Sequence, residues 1–173
     1  VYKHQTIPVP LNTAQDFVEQ FWSGVSPRTR VIFLSHITSP TALIFPVQEI
    51  CRRARAAGII SIVDGAHAIG QLALDLSEID ADFYSSNLHK WLSCPKGSAF
   101  LYARPDMQYL VEPLVVSWGY ESEMPGASKF IDEQEWTGTR DIAAWLATPE
   151  AIKFSEEHHW DVVRKKCHTP TEY

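Results

Sequence analysis

The sequence predicts a three-layer α/β fold built on a mostly parallel sheet with one antiparallel strand. Two β-branched runs, at Val31–Ser35 and at residues 59–63, are typical of parallel strands that are buried on both faces. A helical pattern over 46–58 separates them, which gives the order of a parallel unit with a right-handed crossover. A third strand is predicted at 82–86. Residues 98–103 follow it too closely for a crossover, so we expect them to run antiparallel to it.

The segments around this core are less regular. Residues 1–10 hold prolines and suit an edge strand or an extended lead-in. Thr13 is placed to cap a helix over 14–23. Residues 104–131 are rich in Pro, Gly and Ser and are predicted to be irregular, whereas 142–147 and 149–158 have helical patterns. We expect the basic tail from Trp160 onward to fray.

Composition narrows the range of function. The chain has 173 residues, of which 45% are hydrophobic and 21% charged, as expected of one domain with a core. The net charge of −6 and the lack of a strong Lys/Arg run argue against nucleic acid or an anionic membrane as partner. No long apolar run or signal segment stands out. Three widely spaced cysteines give neither a disulfide framework nor a zinc pattern, which favours a reducing cytoplasm.

Two residues with matched chemistry follow neighbouring strands. Asp64 ends the second strand, and Lys90 follows the third. Parallel strands deliver such residues to one carboxyl edge, where open α/β sheets bind ligands. An acid and a lysine there suit pyridoxal phosphate, because a lysine forms a Schiff base with its aldehyde and an aspartate pairs with its protonated ring nitrogen. For either residue alone, a turn cap or a solvated lysine is the simpler interpretation.

Three motifs carry a family resemblance. The chain resembles the class V aminotransferase family of fold-type I pyridoxal phosphate enzymes at three places. They are V-D-G-A-H-A at 63–68, D-F-Y-S-S-N-L-H-K-W at 82–91 and P-K-G-S-A-F-L-Y at 95–102. The histidine after D-G-A and the N-L-H-K-W-L run are most similar to the isopenicillin N epimerase-like group, and cysteine desulfurases come next. The resemblance implies that 1–141 are part of a cofactor-binding large domain. It also implies that 142–173 form a helical segment leading toward a small domain. Family members are longer, so we expect this chain to be a central fragment.

The resemblance also implies roles for individual residues. Lys90 is the expected Schiff-base lysine and the base for the substrate α-proton, and Asp64 is the expected partner of the ring nitrogen. The other expected cofactor contacts, made to ring oxygen or phosphate, are Ser39, His67, Asn87, His89 and Thr139. No metal ligand is predicted. The phosphate loop, the ring-stacking residue and the arginine for the substrate carboxylate are not assigned within these residues.

Several of these roles have simpler alternatives. His67 also suits a turn histidine bonded to backbone, and Ser86 is an alternative to Asn87 for the phosphate. Trp91 is predicted to be a core residue rather than a part of the chemistry. Cys94 is predicted to be inert, because family desulfurases carry their reactive cysteine much later in the chain.

The resemblance implies a homodimer in which Thr139 reaches the site of the partner. The predicted function is an epimerase-like reaction at the α-carbon of an amino acid or an amino-acid-derived peptide. A cysteine desulfurase, a selenocysteine lyase or an aminotransferase of the same family is the alternative within this class. A truncated, non-catalytic α/β interaction domain is the alternative outside it, and these residues by themselves are expected to bind cofactor weakly.

Overall fold

The computed structural model describes residues 4–8, 10–11 and 13–169. Four strands form one sheet in the order β1 (Val31–Ser35), β2 (Ile60–Asp64), β3 (Phe83–Asn87) and β4 (Ala99–Ala103). The first three strands are parallel and β4 is antiparallel to β3, so the predicted sheet is confirmed. β2 and β3 each lie one residue later than predicted. This shift places Asp64 and Asn87 within the strands, as their last residues.

Helices α1 (Ala14–Ser23) and α2 (Val47–Ala56) cover one face of the sheet. α1 starts as predicted, because the Thr13 side chain accepts a hydrogen bond from the Asp16 amide at 3.0 Å. α2 is amphipathic and presents a buried stripe to the sheet. Together with alternate residues of β1, β2 and β3, that stripe forms the main core, whose most buried members include Val18, Val47, Ile50, Ala54, Val63 and Tyr84.

The other face of the sheet carries exposed apolar side chains. Phe33 is 65% exposed, and Val31 and Leu101 are about half exposed. Phe33 pairs with Ile62 in the strand register, two rows before the row that joins Ser35 to Asp64. The open face therefore runs directly into the edge where the functional residues were predicted.

The connections that follow β2 and β3 are held by short, well-defined turns. The short helix α3 (Leu76–Ile79) begins at Asp75, whose carboxylate accepts hydrogen bonds from the backbone amides of Ser77 and Glu78. After β3, the chain loops back to β4 through residues 88–98. Leu88 and Leu92 are buried there and flank the exposed Lys90.

The structure corrects two sequence-based expectations. The segment 104–131 is not irregular throughout: Pro105–Leu110 form a 3-10 helix, and α4 (Lys129–Glu135) begins at its end. As far as Thr169, the last residue described, the tail is not frayed, because α7 (Trp160–His168) follows α5 (Ala143–Leu146) and α6 (Thr148–Glu157). Residues 170–173 lie outside the described part. The Trp160 indole N–H donates to the Gly70 carbonyl at 2.8 Å, and Arg164 donates to the Leu72 carbonyl at 3.0 Å. These long-range bonds anchor the tail.

The suggested edge strand at 1–10 is not seen in residues 4–8, which are irregular, and residues 1–3 and 9 lie outside the described part. Within the described ranges, none of the helices combines the length and the apolar character needed to cross a bilayer.

Candidate cofactor-binding site

The candidate site lies at the carboxyl edge of the parallel strands. β2 ends at Asp64, and the residue that pairs with Asp64 in the neighbouring strand β1 is Ser35. A turn begins at Gly65 and carries His67 back over the edge, where the His67 Nε2 atom lies 3.0 Å from the Lys90 Nζ atom. Asp64, His67 and Lys90 therefore lie near one another at the edge where the carboxyl ends of the parallel strands meet.

Buried groups on the core side of the sheet hold the turn that follows Asp64. Tyr84 is fully buried, and its ring occupies the space that a side chain at Gly65 would need, since a Cβ there would lie 2.2 Å from the ring. Ser86 Oγ donates to the Gly65 carbonyl at 2.6 Å. Asp64 Oδ1 accepts a hydrogen bond from the Ala66 amide at 2.9 Å, which orients the carboxylate. Glycine at position 65 is therefore required by close packing.

A second pair of contacts joins the turn to the lysine segment. Trp91 donates its indole N–H to His67 Nδ1 at 3.2 Å. Gly70 adopts a positive φ of 82°, and a Cβ at this position would lie 2.4 Å from the Trp91 carbonyl oxygen. The two segments that carry His67 and Lys90 are thus in backbone contact as well as side-chain contact.

Trp91 contacts the candidate site, which sequence reasoning missed. It was predicted to be a core residue, but its side chain is 44% exposed and bonded to His67. A tryptophan directly after the lysine gives no periodic signal of its own. Only its position beside a candidate site lysine could have marked it.

The electrostatics of the site favour a neutral histidine. Desolvation lowers the pKa of the His67 imidazole below its usual value, the nearby Lys90 lowers it further, and the Asp64 carboxylate opposes both. Behind the turn, His36 Nδ1 lies 2.8 Å from the Tyr84 hydroxyl. Burial lowers the pKa of His36 to about 4, so this second histidine is also neutral near pH 7.

The remaining predicted contacts lie around the same edge or farther away. Asn87 ends β3 and is partly exposed, and His89 places Nδ1 3.2 Å from the Ser98 carbonyl oxygen. Because a carbonyl only accepts, His89 carries a proton on Nδ1 and directs Nε2 elsewhere. Ser39 is exposed in the turn that follows β1. Thr139 is exposed in the loop between α4 and α5.

Three other polar residues contact protein groups instead of facing the site. The Ser86 hydroxyl is already bonded to the Gly65 carbonyl, which removes it as the alternative to Asn87. The Arg140 guanidinium lies over the Trp145 ring at 4.3 Å. Cys94 is buried and lies 3.8 Å from the Thr148 hydroxyl, in a small cluster with Leu88, Leu92 and Ala151 that holds the lysine segment against α6. Within the described part of the chain, no group of three or more His, Cys, Asp or Glu side chains is arranged to hold a metal ion.

A profile of the aminotransferase class-V family matches residues 3–173. The chain belongs to the aminotransferase class-V family. Over 145 residues it is 48% identical to an isopenicillin N epimerase from Streptomyces clavuligerus, a match that covers 78% of this chain and 36% of the relative. Over 158 residues it is 37% identical to a putative L-cysteine desulfhydrase from Oryza sativa subsp. japonica, covering 86% of this chain and 31% of that protein.

The fold also matches solved structures of this class. A lysine-to-alanine variant of the protein C-DES, with glycine covalently linked to its PLP cofactor, superposes with a TM-score of 0.69 and 27% identity. That match covers 81% of this chain and 38% of C-DES. The chain thus spans about a third of the length of the relatives it matches, and the family resemblance found from the three motifs is confirmed.

Proposed function

We propose that this chain carries the lysine-bearing part of the active site of a pyridoxal phosphate-dependent enzyme. The enzyme would act at the α-carbon of an amino acid or an amino-acid-derived peptide, in a reaction of the isopenicillin N epimerase type. The observation that carries the proposal is the 3.0 Å contact between Lys90 Nζ and His67 Nε2. Asp64 directly precedes the turn that carries His67. The 48% identity to an epimerase supports this reaction type.

The side chains present fit the cofactor. The site offers one exposed amine, one oriented carboxylate and one neutral imidazole at a sheet edge. When bound, pyridoxal phosphate supplies an aldehyde for the amine and a protonated ring that draws electrons from the substrate α-carbon. Lys90 would hold the aldehyde, and Asp64 would hold the proton on the ring nitrogen.

The other predicted residues would complete the binding of the cofactor. His67 and Ser39 would contact ring oxygen, and Asn87 and His89 would contact the phosphate. His89 already uses Nδ1 on the Ser98 carbonyl, so only its protonated form has a further N–H, on Nε2, for an anion. After substrate has replaced it, the free Lys90 amine would accept the α-proton.

The desulfhydrase relative supports a second reaction type for the same site. Its 37% identity favours removal of sulfur from a cysteine-type substrate as the rival to epimerisation. Both reactions begin with loss of the α-proton to a base, so Lys90 has the same role in each. Product analysis with a chiral column and with a sulfide assay separates them.

The cofactor proposal is tested by reductive labelling. The protein is mixed with excess pyridoxal phosphate, reduced with borohydride and mapped by mass spectrometry. We expect a pyridoxyl group on Lys90, loss of that label and of the visible absorbance in Lys90→Ala, and no change in Lys96→Ala, because Lys96 is an exposed lysine of the same loop. Equal colour and equal labelling in Lys90→Ala would exclude the proposal.

We propose further that the enzyme is a symmetric homodimer in which Thr139 lies closer to the partner's site than to its own. Large apolar side chains in the segment 114–124 are exposed, and a partner surface would bury them. These exposed residues are Leu114, Val115, Val116, Trp118 and Met124. Sedimentation that shows only monomer at high concentration would contradict this assembly.

Residues 1–141 would form part of the cofactor-binding domain and 142–173 the helical connection toward a second domain. The cysteines support a reducing, cytoplasmic location, since all three are free and Cys167 is exposed.

A further inference from the structure

Helix α7 is hydrogen-bonded to residues 65–72, which form the site turn. The Trp160 indole N–H donates to the Gly70 carbonyl at 2.8 Å, and the Arg164 guanidinium donates to the Leu72 carbonyl at 3.0 Å. Both acceptors lie in the second half of the site turn. α7 therefore holds the end of the site turn that is farther along the chain from β2.

The contacts come from one stripe of α7. Trp160 and Arg164 are four residues apart, so their side chains lie on the same face of the helix. His168 is four residues farther along, and its Nε2 atom lies 3.3 Å from the side-chain oxygen of Gln71. The same face of α7 thus meets three consecutive residues of the site turn.

An open cleft of about 370 Å³ lies between the site turn and the helices α6 and α7. Ile69 and Leu72 line it on the side of the turn, and Trp160 and Arg164 lie on the side of α7. Because the cleft separates many of the facing side chains, apolar packing between the two elements is incomplete. The hydrogen bonds from α7 therefore carry much of the connection.

Backbone bonds inside the site turn pass this restraint to His67. The Ala68 carbonyl accepts hydrogen bonds from the amides of Gln71 and Leu72, at 3.0 and 2.8 Å. The Ala68 amide in turn donates to the Gly65 carbonyl at 2.8 Å, and Ala68 is fully buried. A continuous set of bonds thus runs from the residues held by α7 to the direct neighbour of His67.

We propose that Trp160 and Arg164 are positioning residues of the site: by holding the far end of the site turn, they keep His67 beside Lys90. The proposal rests on the proposed function for its purpose, since His67 and Lys90 are expected cofactor contacts. Both residues of α7 act through the backbone of the turn. The core holds the near end of the turn at Gly65, so α7 supplies the second support.

The pKa of His67 reports where the site turn holds its ring. Desolvation and the charge of Lys90 lower this pKa, and the Asp64 carboxylate raises it. If the turn loosens, the ring moves toward solvent and away from Lys90, so both lowering effects weaken. Asp64 directly precedes the turn and continues to raise the pKa. A loosened turn therefore shows a higher pKa of His67.

The position of His67 is measured by NMR titration of its ring in the cofactor-free protein. Arg164→Gln and Trp160→Phe each remove one of the bonds to the site turn. We expect the pKa of His67 to rise toward 6.5 in both variants. Lys165→Gln is the matched control, because it removes one positive charge from an exposed side chain of the same helix. It should leave the pKa of His67 unchanged.

The stiffness of the site turn is measured by hydrogen exchange in the same variants. The Leu72 amide is bonded to the Ala68 carbonyl within the turn, so its exchange rate reports local opening. We expect this exchange to be roughly fivefold faster in Arg164→Gln or in Trp160→Phe, which is the factor that corresponds to one ordinary hydrogen bond. The amides of β2 are the internal reference and should keep their rates.

Three results would overturn the proposal. The first is an unchanged pKa of His67 in both variants, even where the Leu72 amide exchanges faster, since α7 would then hold the turn without positioning the ring. The second is an equal pKa shift in Lys165→Gln, which would assign the effect to the charge of the helix. The third is an equal acceleration of the β2 amides, which would show a general loss of stability. Because every readout uses the protein without cofactor, failure of the cofactor proposal appears separately, in the borohydride experiment.

Discussion

Acidification from pH 7 to pH 5 should destabilise this fold through His36. Its side chain is 7% exposed, lies beneath the turn that follows Asp64, and contacts the Tyr84 hydroxyl. Burial lowers the pKa of His36 from 6.5 in the unfolded chain to about 4 in the folded one. The folded protein therefore prefers the neutral ring, and the unfolded chain takes up a proton first.

The sign and the size of the effect follow from linkage. A depressed folded-state pKa contributes stability that is fully present above about pH 6.5 and is lost as the pH falls toward about 4. With these two values, the free energy of unfolding falls by about 2 kcal/mol between pH 7 and pH 5 on account of this one group. A loss of this size is a large fraction of the stability of a typical domain.

Urea denaturation at the two pH values measures the loss. His36→Asn removes the titrating group. Its loss of unfolding free energy between pH 7 and pH 5 should therefore be about 2 kcal/mol smaller than that of the unmodified protein. Tyr84→Phe should keep the pH dependence, because burial and not the tyrosine bond causes the shift. If the unmodified protein and His36→Asn lose the same free energy of unfolding between pH 7 and pH 5, the assignment to His36 is wrong.

Three further predictions concern the framework of the site. Gly65→Ala should cost about 1–3 kcal/mol of unfolding free energy in urea titrations, because the new Cβ would overlap the buried Tyr84 ring. Arg104→Gln should cost about 3 kcal/mol by the same measurement, since Arg104 lies 2.7 Å from the buried Asp82 carboxylate and its loss leaves that charge unpaired. Cys51 should resist iodoacetamide at pH 8 until the protein unfolds, because burial raises the pKa of its thiol to about 11.

Much of the fold could be predicted because its signals are local. The β-branched runs of β1 and β2 and the amphipathic stripe of α2 depend on residues close together in sequence. The arrangement of Asp64 and Lys90 at one edge followed from topology alone, since the carboxyl ends of parallel strands meet. The antiparallel β4 followed from the shortness of its connection.

What could not be predicted depends on distant partners. The tail from Trp160 is basic and polar on its exposed surface, yet it is fixed by a bond to a carbonyl 90 residues earlier, at Gly70. Trp91 was assigned to the core because large aromatic residues are usually buried. Its actual contact is with a histidine 24 positions earlier, and no periodicity encodes that pair.

The pleat of β3 resolves one choice that the sequence left open. Ser86 and Asn87 are adjacent polar residues at the end of a strand, and either could reach a phosphate. Adjacent residues of a strand point to opposite faces. Asp64 is paired with Ser85, so Asn87, two residues later, shares the face of the carboxylate, whereas Ser86 faces inward and donates to the Gly65 carbonyl. Asn87 therefore stays as the predicted phosphate contact, and Ser86 is one of the groups that hold the turn beneath it.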